Sequence, residues 1–181
     1  MSRSRFSPRK MVYMALCAVL TAVCAWITVP GPVPFTMQTF GIFFSFCLLG
    51  GKRSFLAFLV YLLLGVIGLP VFSGFRSGVG ILLGNTGGYL WGFLLSLLLL
   101  WGLERFLGKK PAVTLLGMLL GLFLCYACGT LWFLFLYVEA TSPMTLGSVL
   151  TMCVVPFILP DLAKLFLAYI LSKKLQKRLS L

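Results

Sequence analysis

The chain has 181 residues, of which 61% are hydrophobic and 10% are charged, and these proportions exclude a soluble globular domain. The formal net charge is +12, but the basic residues are grouped between apolar runs and do not form one stripe mixed with aromatics. This distribution excludes nucleic-acid binding and indicates instead how the chain is oriented in a membrane.

Six apolar runs predict an all-α membrane protein, a single domain over residues 1–181. A membrane span needs about 20 apolar residues as a helix, and these runs lack the alternation of β-barrel strands. The first run follows basic residues as in a signal peptide, but its length and the later spans predict a retained helix. The predicted spans are 11–29, 37–49, 54–69, 87–107, 112–138 and 160–175.

Proline and glycine mark the ends of these spans. Three prolines in the segment 30–34 forbid a continued helix, and a glycine-rich connection, 71–86, separates spans three and four. Pro156 and Pro160 interrupt the last apolar run. Because proline suits the first position of a helix, the last span is predicted to start afresh at Pro160. Asp161 would then lie in the first turn, where the helix dipole favours an acid.

The basic residues predict that both termini are cytoplasmic, in a multi-pass protein of the cell membrane. Lysine and arginine are enriched on the cytoplasmic side of membrane proteins. With six crossings, thirteen of the fifteen basic residues fall on that side. The two exceptions are Arg76, in the glycine-rich outer loop, and Lys164. Cations on the outer half of the protein suggest an anionic ligand that arrives from outside.

Asp161 and Lys164 form the most unusual pair in the chain. Three residues apart on a helix, they share a face, and a charge in a bilayer costs about 2.5–3.5 kcal/mol. The pair is either an ion pair that only stabilises packing or part of a site for a polar or charged ligand. We interpret it as one wall of an outward-facing pocket with the glycine-rich loop as its lid.

Two outer loops add candidate ligand contacts, although plain connectors remain the alternative. The first, 30–38, is stiffened by its prolines, so it loses little entropy when it closes on a ligand. The second, 71–89, has six glycines that permit a close approach of backbone to ligand. Irregular backbone at membrane depth is tolerated only where it is buried in protein or lines a cavity. In span five, Tyr126 and Trp132 are candidate pocket walls.

No catalytic, metal or cofactor site is predicted, so the protein is not expected to be an enzyme. The chain has no histidine, and Cys125 and Cys128 form a lone CxxC that is best explained by helix packing. A phosphate-binding loop of the GxxxxGK[ST] type is missing. Intramembrane proteolysis needs two aspartates, a Ser–His pair or a metal, and the chain has one aspartate.

Small residues at Ala18 and Ala22 lie on one face of span one and allow another helix to approach closely. From the residues alone, this partner helix is either internal or part of a separate subunit.

Four stretches together resemble the biotin transporter substrate-binding component, the BioY family, of energy-coupling factor (ECF) transporters. They occur in the expected order over most of the chain: Pro34–Thr39, GLPVFSGFRSGVGILLGNTGGYL, Ala127–Trp132 and PFILPDLAK. One departure is Asn85, since the family pattern there reads Gly-Pro-Thr-Gly-Gly-Tyr.

The resemblance implies a six-helix subunit that captures biotin from outside with high affinity and delivers it inward by reorienting in the membrane. It implies as partners a transmembrane coupling subunit, which would dock on the face of Ala18 and Ala22, and two ATPase subunits. The alternative is a stand-alone carrier for biotin or for another carboxylated vitamin. A channel is a further alternative.

Biotin requires a cation for its carboxylate, donors and acceptors for its ureido ring, and an apolar slot for its thiophane ring and chain. Lys164 and Arg76 are candidate carboxylate partners, while Asp161 can accept from the ureido N–H groups. If Asp161 and Lys164 pair with each other, the pair serves the ureido end and Arg76 takes the carboxylate. The predicted biotin-binding residues are Phe35, Thr36, Gln38, Phe72, Gly74, Arg76, Asn85, Gly88, Tyr89, Trp132, Asp161 and Lys164.

Overall fold

The computed structural model describes residues 8–31, 33–140 and 146–179. Within these residues, eight helices and one short antiparallel hairpin follow each other along the chain. Their bounds are α1 Pro8–Trp26, β1 Thr28–Val29, β2 Phe35–Thr36, α2 Gln38–Leu49, α3 Gly51–Val66, α4 Val79–Leu83, α5 Gly87–Leu107, α6 Pro111–Ala140, α7 Leu146–Cys153 and α8 Val155–Leu179.

Four helices in the described part of the chain are long and apolar enough to cross a membrane. They are Pro8–Trp26, Gly87–Leu107, Pro111–Leu136 and Val155–Arg178. Helices α2 and α3, with 12 and 16 residues, are shorter than the about 20 residues of a full span. The largely helical fold with several apolar helices is confirmed, while six crossings and cytoplasmic termini stay predictions.

The last helix corrects the prediction of a start at Pro160. Helix α8 begins at Val155 and continues through Pro160. The carbonyl of Val154 accepts from the amides of Phe157 and Ile158 at 2.9 and 3.2 Å, so the first turn forms before Pro160. Proline this close to a helix start removes one backbone hydrogen bond without ending the helix. Asp161 therefore lies beyond the first turn, and the helix dipole does not explain its burial.

Small residues bring α5 and α6 close together along their length. A Cβ atom on Gly92 would lie 2.9 Å from the Cα atom of Cys125, and one on Gly88 would lie 2.2 Å from the Cβ atom of Trp132. Glycine is therefore required at both positions for this approach of the two helices. Helix α2 packs against α8, and α1 packs against α2 and α3.

Ala18 and Ala22 belong to the interior of the bundle. They are 4% and 5% exposed and lie in the same buried cluster as Ile42 of α2 and Phe58 of α3. Of the two alternatives, the structure therefore has the internal one: the helices that approach Ala18 and Ala22 are α2 and α3 of the same chain. This corrects the expectation of a docking face, because the two alanines have no free surface for a separate subunit in this arrangement.

Basic residues from four parts of the chain lie at one end of the bundle. Arg9, Lys10, Arg53, Lys109 and Lys173 line a single cavity there, which we call the basic cavity. The sequence predicts these residues on one side of the membrane, and their common position fits that prediction.

Candidate ligand-binding site

A second cavity, of about 70 Å³, lies at the opposite end, where the hairpin is. We call it the site cavity. It is enclosed by the hairpin, the loop between α3 and α5, and the helices α2, α5, α6 and α8. Six of the predicted site residues line it: Phe35, Thr36, Gln38, Phe72, Tyr89 and Asp161.

The acid–base pair is formed and buried at the wall of this cavity. Lys164 Nζ lies 2.7 Å from Asp161 Oδ1, and both side chains are 7% exposed. Lys164 also donates to the carbonyl of Thr36 at 2.6 Å, and its ammonium lies 3.5 Å from the ring centroid of Phe35. The counter-ion, the hydrogen bonds and the aromatic face together offset the cost of burying two charges.

The second carboxylate oxygen of Asp161 also has a partner. The hydroxyl of Tyr126, on α6, donates to Oδ2 at 2.6 Å. Asp161 is thereby fixed between a cation on one oxygen and a phenol on the other. The sequence marks Tyr126 as an aromatic wall, but its hydrogen bond across 35 residues to the acid has no local signal.

Asp161 lines the site cavity, whereas Lys164 does not. The Lys164 ammonium donates hydrogen bonds to Asp161 and to the carbonyl of Thr36, and the ring of Phe35 lies over it. The group presented to a ligand is therefore the carboxylate, which still has acceptor capacity because each of its oxygens carries two lone pairs.

A buried hydrogen-bond chain connects α2, α3 and the loop after α3. Gln38 Nε2 donates to the hydroxyl of Tyr61 at 3.2 Å, and this hydroxyl donates to the carbonyl of Val71 at 3.1 Å. Tyr61 is 0% exposed and is missing from the predicted site. It holds Gln38 at the cavity wall and the start of the loop against α3.

Aromatic rings make the apolar walls. Phe35 stacks on Phe157 with their centroids 5.4 Å apart, and Tyr61 meets the ring of Phe72 edge-on at 5.6 Å. Phe72 fills the space that Gly65 leaves, since a Cβ atom there would lie 2.1 Å from the ring. Phe157 is not among the predicted residues, although it lies in the same PFILPDLAK segment as the pair.

Two predicted donors of the second loop lie outside the cavity lining. Arg76 is exposed, and its guanidinium donates to the carbonyl of Ser73 at 3.0 Å. Its backbone closes a tight loop, because the amide of Phe72 donates to the Arg76 carbonyl at 3.0 Å and Gly74 adopts a φ of +70°. Asn85 is exposed as well.

Trp132 and Gly88 hold the second loop to α6 and do not line the cavity. Trp132 Nε1 donates to the carbonyl of Gly84 at 3.1 Å, while its side chain packs on Gly88. Their positions make them positioning residues for the loop. The polar lining residues missing from the predicted set are Thr39, Ser73 and Thr86, which lie in segments whose apolar or glycine-rich surroundings give no separate signal.

Comparisons with known proteins agree over nearly the whole chain. A sequence model described as the BioY family matches residues 1–181. The chain is 38% identical over 170 residues to the biotin transporter BioY of Thermotoga maritima, covering 93% of this chain and 96% of that protein. It is 39% identical over 169 residues to the probable biotin transporter BioY of Pyrococcus horikoshii, with the same coverage of 93% and 96%.

A solved crystal structure has the same architecture. It is described as the S-component for biotin from an ECF-type ABC transporter. The TM-score is 0.84 at 25% sequence identity, over 98% of this chain and 95% of that chain.

Proposed function

The chain belongs to the BioY family, and from this premise we propose that it binds biotin and takes it up as the S component of an ECF-type transporter. The observation that carries the proposal for the binding site is the Asp161 carboxylate, held between Lys164 and Tyr126 on the wall of an aromatic cavity. A buried acceptor with a fixed orientation suits a ligand that presents an N–H donor from a rigid ring.

The ureido ring of biotin is such a ligand. We place one of its N–H groups on Asp161, where a hydrogen bond to the charged carboxylate contributes about 1.5–3 kcal/mol. Lys164 acts on this bond indirectly, because it donates to Asp161 and to the Thr36 carbonyl and so holds the carboxylate in place. Gln38, Thr39 and Thr86 supply further polar groups around the ring.

The thiophane ring and the aliphatic chain then pack between Phe35, Phe72 and Tyr89. These side chains line the cavity and are fixed by neighbouring rings or by a glycine, so they lose little freedom on binding. The biotin carboxylate extends toward the second loop, where Arg76 is the nearest predicted cation and is turned toward Ser73 in this structure.

Biotin enters by displacement of the exposed tip of the second loop, around Phe75 and Arg76, while Phe72 and Trp132 keep the rest of the loop anchored. The site cavity of about 70 Å³ is below the about 300–1,000 Å³ of typical ligand pockets. The loop is fastened by contacts near the surface: Trp26 Nε1 donates to the carbonyl of Pro70 at 2.8 Å, and Trp26 stacks on Phe75 at 5.0 Å. Such exposed contacts open at small cost, and closure over the ligand brings Arg76 toward its carboxylate.

Transport beyond binding involves the partner subunits of the ECF assembly, a coupling subunit and two ATPases, with inward delivery by reorientation of this subunit. Because Ala18 and Ala22 are buried, docking on the coupling subunit uses other residues of the membrane-facing surface. We propose neither a catalytic step nor a cofactor for this chain.

Titration of the purified full chain with biotin by calorimetry tests the binding step. We expect saturable binding of one biotin per chain and competition by desthiobiotin, which keeps the ureido ring. Pantothenate, a carboxylated vitamin without that ring, should not compete. Equal competition by pantothenate would contradict a ureido site, and an absence of heat and of retained biotin would contradict the function.

Uptake of labelled biotin by cells that express the chain with and without ECF partner subunits tests the transport step. Uptake at equal rates in both would contradict the role as an ECF subunit.

A further inference from the structure

The basic cavity lies apart from the site cavity and shares no lining residue with it. Its volume is about 680 Å³, and it is enclosed by the ends of α1, α2, α3, α5, α6 and α8. Five basic side chains line it: Arg9, Lys10, Arg53, Lys109 and Lys173.

The chain supplies little negative charge to balance these cations. Of its three acidic residues, Asp161 pairs with Lys164 at the other end of the bundle. Glu139 lies at the far end of α6, roughly 40 Å from the start of that helix at 1.5 Å per residue. Among the described residues, Glu104 is the one acidic residue that lines the basic cavity.

Glu104 is already committed to partners at the cavity wall. It lies 2.9 Å from Lys109 Nζ, and it accepts a hydrogen bond from the amide of Gly51. Arg9, Lys10 and Lys173 therefore face the cavity without a carboxylate partner among the described residues. An anion from outside the chain fits this excess of positive charge.

The walls of the cavity narrow the choice of anion. Besides the cations, the lining contains the apolar side chains of Phe46, Leu100, Leu103 and Val113 and the polar side chains of Tyr13 and Gln176. A free inorganic anion would leave the apolar walls in contact with water. A ligand with a charged head and apolar chains satisfies both surfaces.

We propose that the basic cavity binds the phosphate headgroup of an anionic phospholipid, with the glycerol and upper acyl chains against its apolar wall. The predicted orientation places this end at the cytoplasmic leaflet, whose surface is negatively charged and attracts basic residues beside membrane helices. One lipid held there would connect the ends of α1, α3 and α8 to the connection between α5 and α6.

Native mass spectrometry of the purified full chain tests the site with two probes, phosphatidylglycerol and phosphatidylcholine of equal chain length. We expect one phosphatidylglycerol to be retained per chain, with an affinity at least about tenfold above that of phosphatidylcholine, since only the first carries net charge. Inorganic phosphate in a parallel titration should not displace it. Equal retention of the two lipids, or displacement by millimolar phosphate, would overturn the proposal.

Two triple variants with the same loss of charge locate the lipid. Arg9→Gln, Arg53→Gln and Lys173→Gln change the basic cavity, whereas Lys174→Gln, Lys177→Gln and Arg178→Gln change exposed residues outside its lining. We expect the first triple to lose the selective phosphatidylglycerol and the second to retain it.

Both triple variants should bind biotin with wild-type affinity, which shows that they are folded. Equal loss of lipid from both would overturn a defined site in favour of general surface charge. Selective loss of the coupling subunit from the first triple, with its lipid retained, would assign the cavity to a protein partner. If the first triple variant fails to fold, the relative retention of the two lipids by the wild-type chain still tests whether the chain binds an anionic phospholipid selectively.

Discussion

The two ends of the helix bundle differ in how far their charged side chains are paired within the chain. At the site cavity, Asp161 and Lys164 neutralise each other, and the acid has Tyr126 as a further partner. At the basic cavity, five cations share one acid, Glu104, in a volume about ten times larger.

The difference indicates how each end uses charge. At the site cavity, the paired charges fix the orientation of the Asp161 carboxylate, so that it can accept a hydrogen bond only from a ligand donor in one position. Where cations remain unpaired by the chain, the surface attracts anions with less demand on geometry. We expect substitutions at the first end to change biotin affinity and substitutions at the second end to leave it unchanged.

The largest expected effect is that of Asp161→Asn. Breaking a buried ion pair by removing one partner costs about 3–5 kcal/mol, because Lys164 is left charged and buried. Biotin also loses its charged acceptor, so calorimetry on the purified variant should show an affinity lower by at least about 100-fold. Near-native affinity in a variant that still inserts in the membrane would contradict the assignment of Asp161.

The double variant Asp161→Leu with Lys164→Met separates packing from binding. Replacement of a buried ion pair by apolar side chains of similar size is often neutral or stabilising. Thermal unfolding in detergent should therefore show the double variant to be more stable than Asp161→Asn, while biotin binding stays lost. Recovery of binding together with stability would show that the pair only stabilises packing.

Tyr126→Phe should have an intermediate effect. It keeps the ring at the cavity and removes only the hydrogen bond of 2.6 Å to Asp161 Oδ2. Without this bond the carboxylate that accepts from biotin is less firmly held, so we expect a loss of biotin affinity of up to about tenfold, less than the full 1.5–3 kcal/mol of a charged hydrogen bond. Tyr13→Phe, at the basic cavity, is the matched control and should bind biotin like the wild type.

Arg76→Gln should have a smaller effect that depends on the ligand. If Arg76 meets the biotin carboxylate when the loop closes, the variant loses affinity for biotin by roughly fivefold, as expected for a partly exposed charge pair. It should bind biotinamide, which lacks the carboxylate, as tightly as the wild type does. An equal loss for both ligands would assign Arg76 to loop structure alone.

Arg53→Gln should have the smallest effect on biotin. Arg53 belongs to the basic cavity at the other end of the bundle. Calorimetry should therefore give an affinity within about twofold of the wild type, as expected for distant sites without shared partners. A larger change would show that the two ends are coupled and would remove the contrast between them.

The sequence alone predicts the parts of the site that are close together in the chain. Asp161 and Lys164 share a helix face because of their spacing. In the first outer loop, Phe35 is an aromatic candidate and Thr36 a polar candidate for ligand contact. Contacts between distant segments have no such signal. Tyr126, Tyr61 and Phe157 receive their roles from the packing of α6, α3 and α8, which no local pattern specifies.

The two incorrect predictions have related physical causes. A proline pattern indicates where a helix is weakened, but the turn that precedes Pro160 forms anyway, so α8 begins earlier. A stripe of small residues indicates that something approaches closely, but not whether it is another helix of the same chain. For Ala18 and Ala22, it is α2 and α3.

Helix α8 also has a consequence for how the protein is made. It bonds to the N-terminal half at both ends: Lys164 donates to the carbonyl of Thr36, and Gln176 donates to the carbonyl of Cys47 at 2.7 Å. These contacts join residues 128 and 129 positions apart. During synthesis, the hairpin and α2 are inserted before α8 and gain these contacts only afterwards, because contacts of such long range form late. The site cavity, which Asp161 of α8 lines, is therefore incomplete until α8 has been inserted.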